Sequence, residues 1–320
     1  MAVTETSDLA PGAAHPLHST SRAWTETNCY VDVWVELLHS LGLDPVPAAV
    51  CTLSADFVGD QWTFLKFAPE DLRVLYGISV AEMNVWRPVR DHVVEQLAAG
   101  RLTTVEADSW WLPDTAGVSY RTEHVKSTIV PLEVDVEAER LVYLHNAGRF
   151  ELAGEDFRNV FELRGERALL PPYVELLRLD RLVVRDDLAE ATAALAHDHL
   201  DRRPSDNPVD RLGERLRTDL PWLREAGLET FHTYAFGVVR QFGVTAELAG
   251  DLVEWLTAHG QADLTDAAAS FRAAAGAAKT LQFRLARAVA GRDVDVDSLV
   301  AAMSVPWADA MAATVAWHEA

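Results

Sequence analysis

The spacing of hydrophobic residues divides the chain into a first part of mixed character and a second part that is almost wholly helical. An apolar run of helical period begins at Cys29 and ends at Gly42, a residue typical of helix termini. Alternating apolar runs separated by an acidic turn at 135–139 indicate an antiparallel hairpin. In this part we predict helices over 29–42, 69–77 and 88–99, and strands over 102–107, 124–134 and 140–145.

Amphipathic stretches follow one another after residues 163–172, with breaks at Pro and Gly. We predict helices over 173–179, 186–200, 208–217, 228–242, 245–258, 265–290 and 296–317. The fold class is therefore α+β followed by an all-helical domain. We divide the chain into a flexible N-terminus over 1–20, a mixed domain over 21–165 and a helical bundle over 166–320.

Composition narrows the classes of partner. The formal net charge of −21 argues against nucleic-acid binding, which needs a basic surface.

The chain has only two cysteines, which argues against a disulfide framework and favours a reducing compartment. The first 20 residues lack the features of a signal peptide, and no later stretch is expected to span a membrane. We therefore predict a cytoplasmic protein without a membrane segment.

Cys29 follows the polar run 25–28 and stands on the first turn of the predicted helix. A helix N-terminus offers unpaired amides and a positive dipole end, which favour a thiolate and can receive an oxyanion. The alternative is a small buried hydrophobic residue, the usual role of a free cysteine. Cys51 lies in an apolar run without a base nearby, and we predict a structural role for it.

A catalytic thiol needs a base, and the base needs an orienting group. His124 stands at the start of a predicted strand, and Asn146 ends the strand that returns beside it, so these two residues are the candidates. Asp135 and His145 remain alternatives to Asn146. A histidine at a strand end is also a common surface residue, and an asparagine before Ala-Gly is typical of a turn.

We expect no metal site. The tightest cluster, His197-Asp198-His199, places its histidines two residues apart on a helix, where they diverge. The cluster is predicted to be a solvated helix end.

With Cys29, His124 and Asn146 in that order, the first part resembles the papain-like cysteine fold, with the cysteine on an N-terminal helix and the other two on an antiparallel sheet. It is similar to the bacteriocin-processing peptidases and to the N-terminal domain of butirosin biosynthesis protein H. The phrases 28–32, 120–126 and 145–148 also resemble an uncharacterised bacterial family, a domain of unknown function found beside carrier-protein amino-acid ligases.

The resemblance implies acyl transfer from a carrier-protein phosphopantetheine thioester to a small amine in specialised metabolism. Cys29 would attack the thioester, His124 would act as base and then as acid, and Asn146 would orient His124. Asp108 matches a position near the cleft and would have a structural or substrate-contacting role. Papain-like enzymes carry Gln about six residues before the cysteine, but this chain has Ala23, so Thr25 or Asn28 would support the oxyanion instead.

Substrate contacts are predicted from basic and polar residues. Lys126 and Lys279 are two of only three lysines, and Lys279 shares a helix face with Gln282. We expect these residues or Arg240 to meet a substrate carboxylate. A carrier protein is acidic and would need a local basic patch, for which the candidates are Arg158, Arg164, Arg167, Arg178 and Arg181.

Two other functions remain open at this stage. The same three residues would serve an intracellular cysteine peptidase or amidohydrolase. A binding or scaffold protein without catalysis is the third alternative. In none of these interpretations does the chain bind a cofactor of its own, since phosphopantetheine belongs to the partner carrier protein.

Overall fold

The computed structural model describes residues 9, 13–162 and 172–320. Its α-helices are Cys29–Ser40 (α1), Pro69–Tyr76 (α2), Val89–Ala98 (α3), Glu155–Asn159 (α4), Leu188–Asp201 (α5), Pro208–Ala235 (α6), Gln241–Ala258 (α7), Thr265–Val289 (α8) and Val296–His318 (α9). Its strands are Phe57–Val58 (β1), Gln61–Trp62 (β2), Ser79–Glu82 (β3), Leu102–Asp108 (β4), Lys126–Asp135 (β5), Arg140–His145 (β6), Gly148–Ala153 (β7) and Val174–Arg178 (β8).

The chain forms two compact units, and each is built from separate segments. The first unit contains Met1–Ser19, Asn28–Pro45 and Ala68–Arg185. The second contains Thr20–Thr27, Val46–Phe67 and Asp186–Ala320. The boundary predicted at 165–166 lies outside the described residues. The antiparallel sheet and the helical C-terminal region that the sequence predicts are both confirmed.

A six-stranded sheet forms the centre of the first unit, in the order β3-β8-β4-β5-β6-β7. Each neighbouring pair is antiparallel. The predicted hairpin is β5–β6, in which Asp135 pairs with Arg140 and the Asp135 carboxylate accepts the Ala138 amide at 2.8 Å. The helix α1 packs against β5 and β6. Helix α2 ends at Gly77, as predicted. Gly77 adopts φ 70°, and a Cβ atom at this position would lie 1.9 Å from the Arg181 carbonyl oxygen.

The expectation of a helix over 173–179 is wrong, because this segment forms β8. Val174 and Leu177 are buried, and β8 lies between β4 and β3 in the sheet. A run of five apolar and polar residues is too short for periodicity to separate a helix from a buried strand. The two neighbouring strands therefore decide its conformation.

Residues 13–19 were assigned to a flexible N-terminus, but the structure fixes them within the first unit. Pro16–His18 form one 3₁₀ turn. The His15 amide donates to Glu36 Oε1 at 2.8 Å, and His18 Nε2 lies 3.3 Å from the same oxygen. Glu36 is fully buried on α1, and this segment supplies an amide donor and an imidazole to its Oε1 atom, which lowers the cost of burying the carboxylate.

The second unit is a helical bundle with an aromatic centre. Trp307 on α9 lies edge-on to Phe242 and Phe271, at centroid distances of 5.5 and 5.3 Å. The two helices predicted over 208–217 and 228–242 are joined into α6, which is interrupted at Gly227 with φ 84° and ψ −178°. A π-helical turn, Phe236–Arg240, then leads into α7.

Contrary to the expectation from sequence, α9 is long and apolar enough to cross a membrane by length and composition alone. Core helices of folded proteins share this length and composition. Here Met303, Trp307 and Ala310 of α9 are buried in the bundle.

The cluster 197–199 is not a solvated helix end. His199 is buried and hydrogen-bonds with Ser54 at 2.7 Å between Nδ1 and Oγ. His197 stacks on Trp317 with ring centroids 4.3 Å apart, and its Nδ1 lies 2.8 Å from His318 Nδ1. His318 Nε2 donates in turn to Asp201 at 2.9 Å. Two neutral rings satisfy this arrangement, with the His197 N–H donating to His318.

We predict that the His197–His318 pair makes the protein less stable in mild acid. Burial, followed by the neighbouring His318, lowers the pKa of His197, although Asp201 and Asp198 oppose the shift. The unfolded chain therefore takes up a proton at His197 at a higher pH than the folded chain, and the free energy of unfolding falls as pH drops through this window. We expect His197→Phe, which keeps the ring stack, to lose less melting temperature than wild type between about pH 7.5 and pH 5. The exposed His232→Phe is the control, and an equal loss in both variants would contradict the assignment.

Candidate functional site

Cys29 is the first residue of α1, and the preceding residue caps the helix. The Asn28 side-chain oxygen accepts the Val31 amide at 2.9 Å, and the Asn28 carbonyl accepts the Asp32 amide at 3.0 Å. The amide of Cys29 itself has no intrahelical acceptor. The thiol is partly exposed, and its Sγ lies 3.6 Å from Thr128 Oγ1 on β5.

His124 stands two residues before β5 and is bound to a carboxylate. Its Nδ1 lies 2.6 Å from Asp108 Oδ2 at the end of β4. Asp108 is buried, whereas about half of the His124 side chain is exposed. A carboxylate can only accept, so Nδ1 carries the proton, and in the neutral ring Nε2 is the acceptor. This is the tautomer that a general base needs.

Two further contacts fix the pair. Asp108 Oδ1 accepts the Trp110 amide at 3.0 Å and so caps the short 3₁₀ helix Ser109–Trp111. The Trp110 ring stacks on His124 with centroids 4.5 Å apart and planes 10° apart. The carboxylate and the indole together hold the imidazole in one orientation.

The register of β4 and β5 places the thiol contact and the histidine pair on one face of the sheet. Asp108 pairs with Lys126, and Glu106 pairs with Thr128. Directly opposed residues point to the same face, and so do residues two apart on a strand. Thr128, which contacts Cys29, and Asp108, which holds His124, therefore share a face at a distance of roughly 7 Å along the strands.

The helix α1 is held over the same face by a buried hydrogen bond. Tyr30 Oη donates to Glu175 Oε2 at 2.8 Å, and Thr104 Oγ1 donates to the same oxygen at 2.9 Å. Burial, with the Glu175 charge second, raises the pKa of Tyr30 far above its usual range, so its hydroxyl stays a donor. The residue next to Cys29 thus anchors the helix start to the sheet.

The structure places Asp108, and not Asn146, on the Nδ1 side of the His124 ring. Asn146 adopts φ 45° in the tight turn between β6 and β7, which is the turn role that its sequence also fits. The alternative Asp135 accepts the Ala138 amide in the hairpin turn. The second alternative, His145, is engaged elsewhere.

His145 belongs to a separate buried network on the opposite face of the sheet. Its Nδ1 donates to Asp114 Oδ2 at 2.5 Å, and its Nε2 accepts from Ser127 Oγ at 2.6 Å. Tyr143 Oη donates to the other Asp114 oxygen at 2.5 Å. Burial, then the Asp114 charge, raises the pKa of Tyr143 well above its usual range. Sequence analysis did not identify this network, since its members meet only in the folded sheet.

The residues predicted to contact substrate lie in both units. Lys126 Nζ forms a salt bridge with Glu106 Oε1 at 2.8 Å in the first unit. In the second, Lys279 Nζ lies 4.2 Å from the Trp24 ring centroid, and burial, with Arg240 second, lowers the pKa of Lys279. Arg240 donates to the Thr27 carbonyl at 3.2 Å. These roles stay predictions.

The other predicted site residues are Thr25, Asn28, Gln282 and the basic run. Thr25 lies in the segment 20–27, which belongs to the second unit, whereas Asn28 uses its side-chain oxygen to cap α1 in the first. The Oε1 atom of Gln282 is buried without a hydrogen-bond partner in the described part of the chain. Of the predicted basic run, Arg158 pairs with Glu139, and Arg164 and Arg167 lie outside the described residues.

Thr128 and Trp110 are the site residues that sequence analysis missed, and Asp108 is the one whose role it misjudged. Asp108 carried a usable signal, because an acidic residue at a strand end followed by Ser-Trp-Trp is a typical cap. Thr128 carried none, since its contact with Cys29 depends on how α1 packs against β5.

Family models match nearly the whole chain. Residues 13–179 match the DUF1839 N-terminal domain, and residues 185–316 match the DUF1839 C-terminal domain. The chain belongs to the DUF1839 family. The expected membership of an uncharacterised domain family is thereby confirmed, and both halves of the chain are DUF1839 domains. No curated protein matches the DUF1839 chain.

Proposed function

We propose that this DUF1839 protein is a cysteine acyltransferase in which Cys29 is the nucleophile, His124 is the base and Asp108 orients the base. One observation carries the proposal. The thiol contact at Thr128 and the Asp108–His124 pair share a face of the β4–β5 ladder, and α1 presents Cys29 to that face. A nucleophile, a base of the correct tautomer and an orienting carboxylate form the arrangement that acyl transfer uses.

Acylation of the thiol is the first half of the proposed reaction. His124 Nε2 takes the Cys29 proton, and the Sγ electron pair attacks the carbonyl carbon of an acyl thioester. The carbon–sulfur bond to the carrier's phosphopantetheine then breaks, and the departing thiolate receives the proton from His124. Asp108 stabilises the imidazolium that forms between these steps, and the Trp110 ring keeps it oriented.

Transfer to the acceptor uses the same groups, but the amine is now the nucleophile and Cys29 is the leaving group. A small amine attacks the Cys29 thioester, loses its proton to His124 and forms an amide. The Cys29 thiolate leaves and is protonated again. If water attacks instead, the same groups give hydrolysis. We favour transfer because the first part of the chain resembles the N-terminal domain of butirosin biosynthesis protein H.

The helix start supplies the oxyanion donor in this proposal. The Cys29 amide has no intrahelical acceptor and lies at the positive end of the α1 dipole. Asn28 supports it indirectly, because its side chain fixes the first turn by binding the Val31 amide. This differs from papain-like enzymes, where a Gln before the cysteine donates as well.

We also propose that the first unit has a papain-like fold. A helix that begins with the cysteine and packs on an antiparallel sheet with the histidine at a strand mouth supports it. The orienting residue departs from the pattern: Asp108 precedes His124 in the chain and comes from the neighbouring strand β4.

Intact-mass spectrometry with aminoacyl thioesters tests the proposal. Aminoacyl-loaded carrier protein, or N-acetylcysteamine thioesters that carry the end of the phosphopantetheine arm, should leave one acyl adduct on the protein. The adduct should vanish in Cys29→Ala and persist in Cys51→Ala, which removes the other free cysteine. Added amine should discharge the adduct as an amide.

Other outcomes select the alternatives. Release of free acid without amide would favour the hydrolase. Equal, slow alkylation of Cys29 and Cys51 by iodoacetamide, together with no adduct from a panel of acyl groups, would favour a non-catalytic binding protein.

A further inference from the structure

An open groove of about 760 Å³ lies in the second unit. The β1–β2 hairpin and the residues after it form one wall, and the C-terminal half of α6 with the following π-helical turn forms the other. We call this the aromatic groove, and its principal lining residues are Val58, Asp60, Phe64, Trp222, Thr233 and Tyr234.

Large apolar side chains are left uncovered along the aromatic groove. Val58, Phe64 and Trp222 are 66, 55 and 51 % exposed. Single exposed apolar residues are ordinary, but several that converge on one concave surface are typical of a ligand site. The hairpin wall is anchored to the helices by Trp62, which is buried and donates its indole N–H to Thr245 Oγ1 at 3.2 Å.

The helical wall has an irregular backbone. Gly227, with φ 84° and ψ −178°, interrupts α6 after Trp222. The π-helical turn Phe236–Arg240 then contributes Gly237 and Val238 to the lining. Helix breaks and π turns cost stability and are frequent at functional sites. The break at Gly227 lies between the lining residues Trp222 and Thr230, and the π-helical turn follows the last lining residue of α6, Tyr234.

One charged residue lines the aromatic groove among the described residues, and it is an acid. Asp60 stands in the two-residue turn between β1 and β2 and is exposed. No salt bridge within 4 Å engages it among the described residues, although its charge also acts on Arg215, which is bound to Asp219. The acid behind the wall, Asp219, is already engaged: Arg215 donates to it at 2.7 Å and Tyr234 at 3.0 Å. Burial, then the Asp219 charge, raises the pKa of Tyr234 above its usual range, so this hydroxyl is neutral.

We propose that the aromatic groove binds an organic cation with an apolar body, of the arylammonium or alkylammonium class. The ammonium would meet the Asp60 carboxylate, and the apolar body would lie against Trp222 and Phe64. Indole and phenyl faces attract cations as well as apolar carbon, so both parts of such a ligand gain. The site is built from residues of the second unit alone and does not rest on the chemistry proposed for Cys29.

Three probes with the same ring and different charge test this proposal: phenethylammonium, 2-phenylethanol and phenylacetate. Isothermal titration with the full chain should show phenethylammonium binding roughly tenfold tighter than the alcohol, and the carboxylate weakest. Asp60→Asn should bring the cation and the alcohol to similar affinity, because Asn keeps the turn but removes the charge. Trp222→Ala should weaken both by roughly tenfold.

Matched controls separate the groove from general surface effects. Trp86 is 78 % exposed and lies outside the groove, so Trp86→Ala should bind the probes as wild type does. Asp293→Asn removes an exposed carboxylate elsewhere and should keep the preference for the cation. Equal binding of the three probes, or binding unaffected by Trp222→Ala and Asp60→Asn, would overturn the proposal.

Discussion

Asp108→Asn is expected to lower the rate of acyl transfer by about 10²- to 10⁴-fold, whereas Asn146→Ala is expected to leave it within about twofold of wild type. The amide of Asn can still accept the Trp110 amide through its oxygen, so the cap of the 3₁₀ helix is retained. Its NH₂ group, however, would face His124 Nδ1 and force the proton onto Nε2. The ring would then present a donor where the thiol needs an acceptor.

The measurement is the single-turnover rate of adduct formation at Cys29 with an aminoacyl thioester, followed by mass spectrometry. The melting temperature should be close to wild type in Asp108→Asn, which keeps the cap, and somewhat lower in Asn146→Ala, because alanine adopts the φ of 45° at this half-buried turn less readily than asparagine. A large loss of rate in Asn146→Ala with full rate in Asp108→Asn would restore the assignment made from sequence and refute the one made from geometry.

The elements that the sequence predicts well are those set by local pattern. The helix from Cys29 was predicted because a polar cap precedes an apolar run of helical period, and α1 occupies this position. The hairpin β5–β6 was predicted because two alternating runs flank an acidic turn, and the observed strands agree. In both cases the determining interactions lie within a few residues of one another.

The elements predicted wrongly depend on distant parts of the chain. The strand β8 is a strand because β3 and β4 lie on either side of it, nearly 100 and 70 residues earlier. Its own five residues do not distinguish the two conformations.

In the candidate site, too, the sequence predicts the local feature but not the contact between distant residues. His124 was identified from its place at a strand mouth, which is a local feature. Its partner was sought on the following strand, whereas the β4–β5 register brings Asp108 to it from the preceding strand. Strand order within a sheet is set by packing of the whole domain, and neither residue's neighbours in sequence encode it.

The two histidine–aspartate pairs of the first unit differ mainly in burial. The Asp108–His124 and Asp114–His145 pairs have Nδ1–oxygen distances of 2.6 and 2.5 Å. The His124 side chain is 51 % exposed, and that of His145 is 1 % exposed. In the proposed mechanism the same contact orients a half-exposed base in one case, whereas it lies in the core of the sheet in the other.

Asp114→Ala is accordingly expected to lower the free energy of unfolding of the first unit by about 3–5 kcal/mol. It removes the acceptor of two buried donors at once, Tyr143 Oη and His145 Nδ1. For a unit of this size the loss corresponds to a fall of about 10 °C in the melting temperature, measured by differential scanning calorimetry.

The matched control is His124→Ala, which removes the half-exposed partner of Asp108 and opens that carboxylate to water. It should cost less than about 1 kcal/mol while abolishing acyl transfer. Ser127→Ala provides an intermediate case, since it deletes one donor to His145 Nε2 and leaves the Asp114 contacts intact. We expect it to cost about 1 kcal/mol. If Asp114→Ala and His124→Ala destabilised the first unit equally, burial would not be what separates a structural pair from a catalytic one in this sheet.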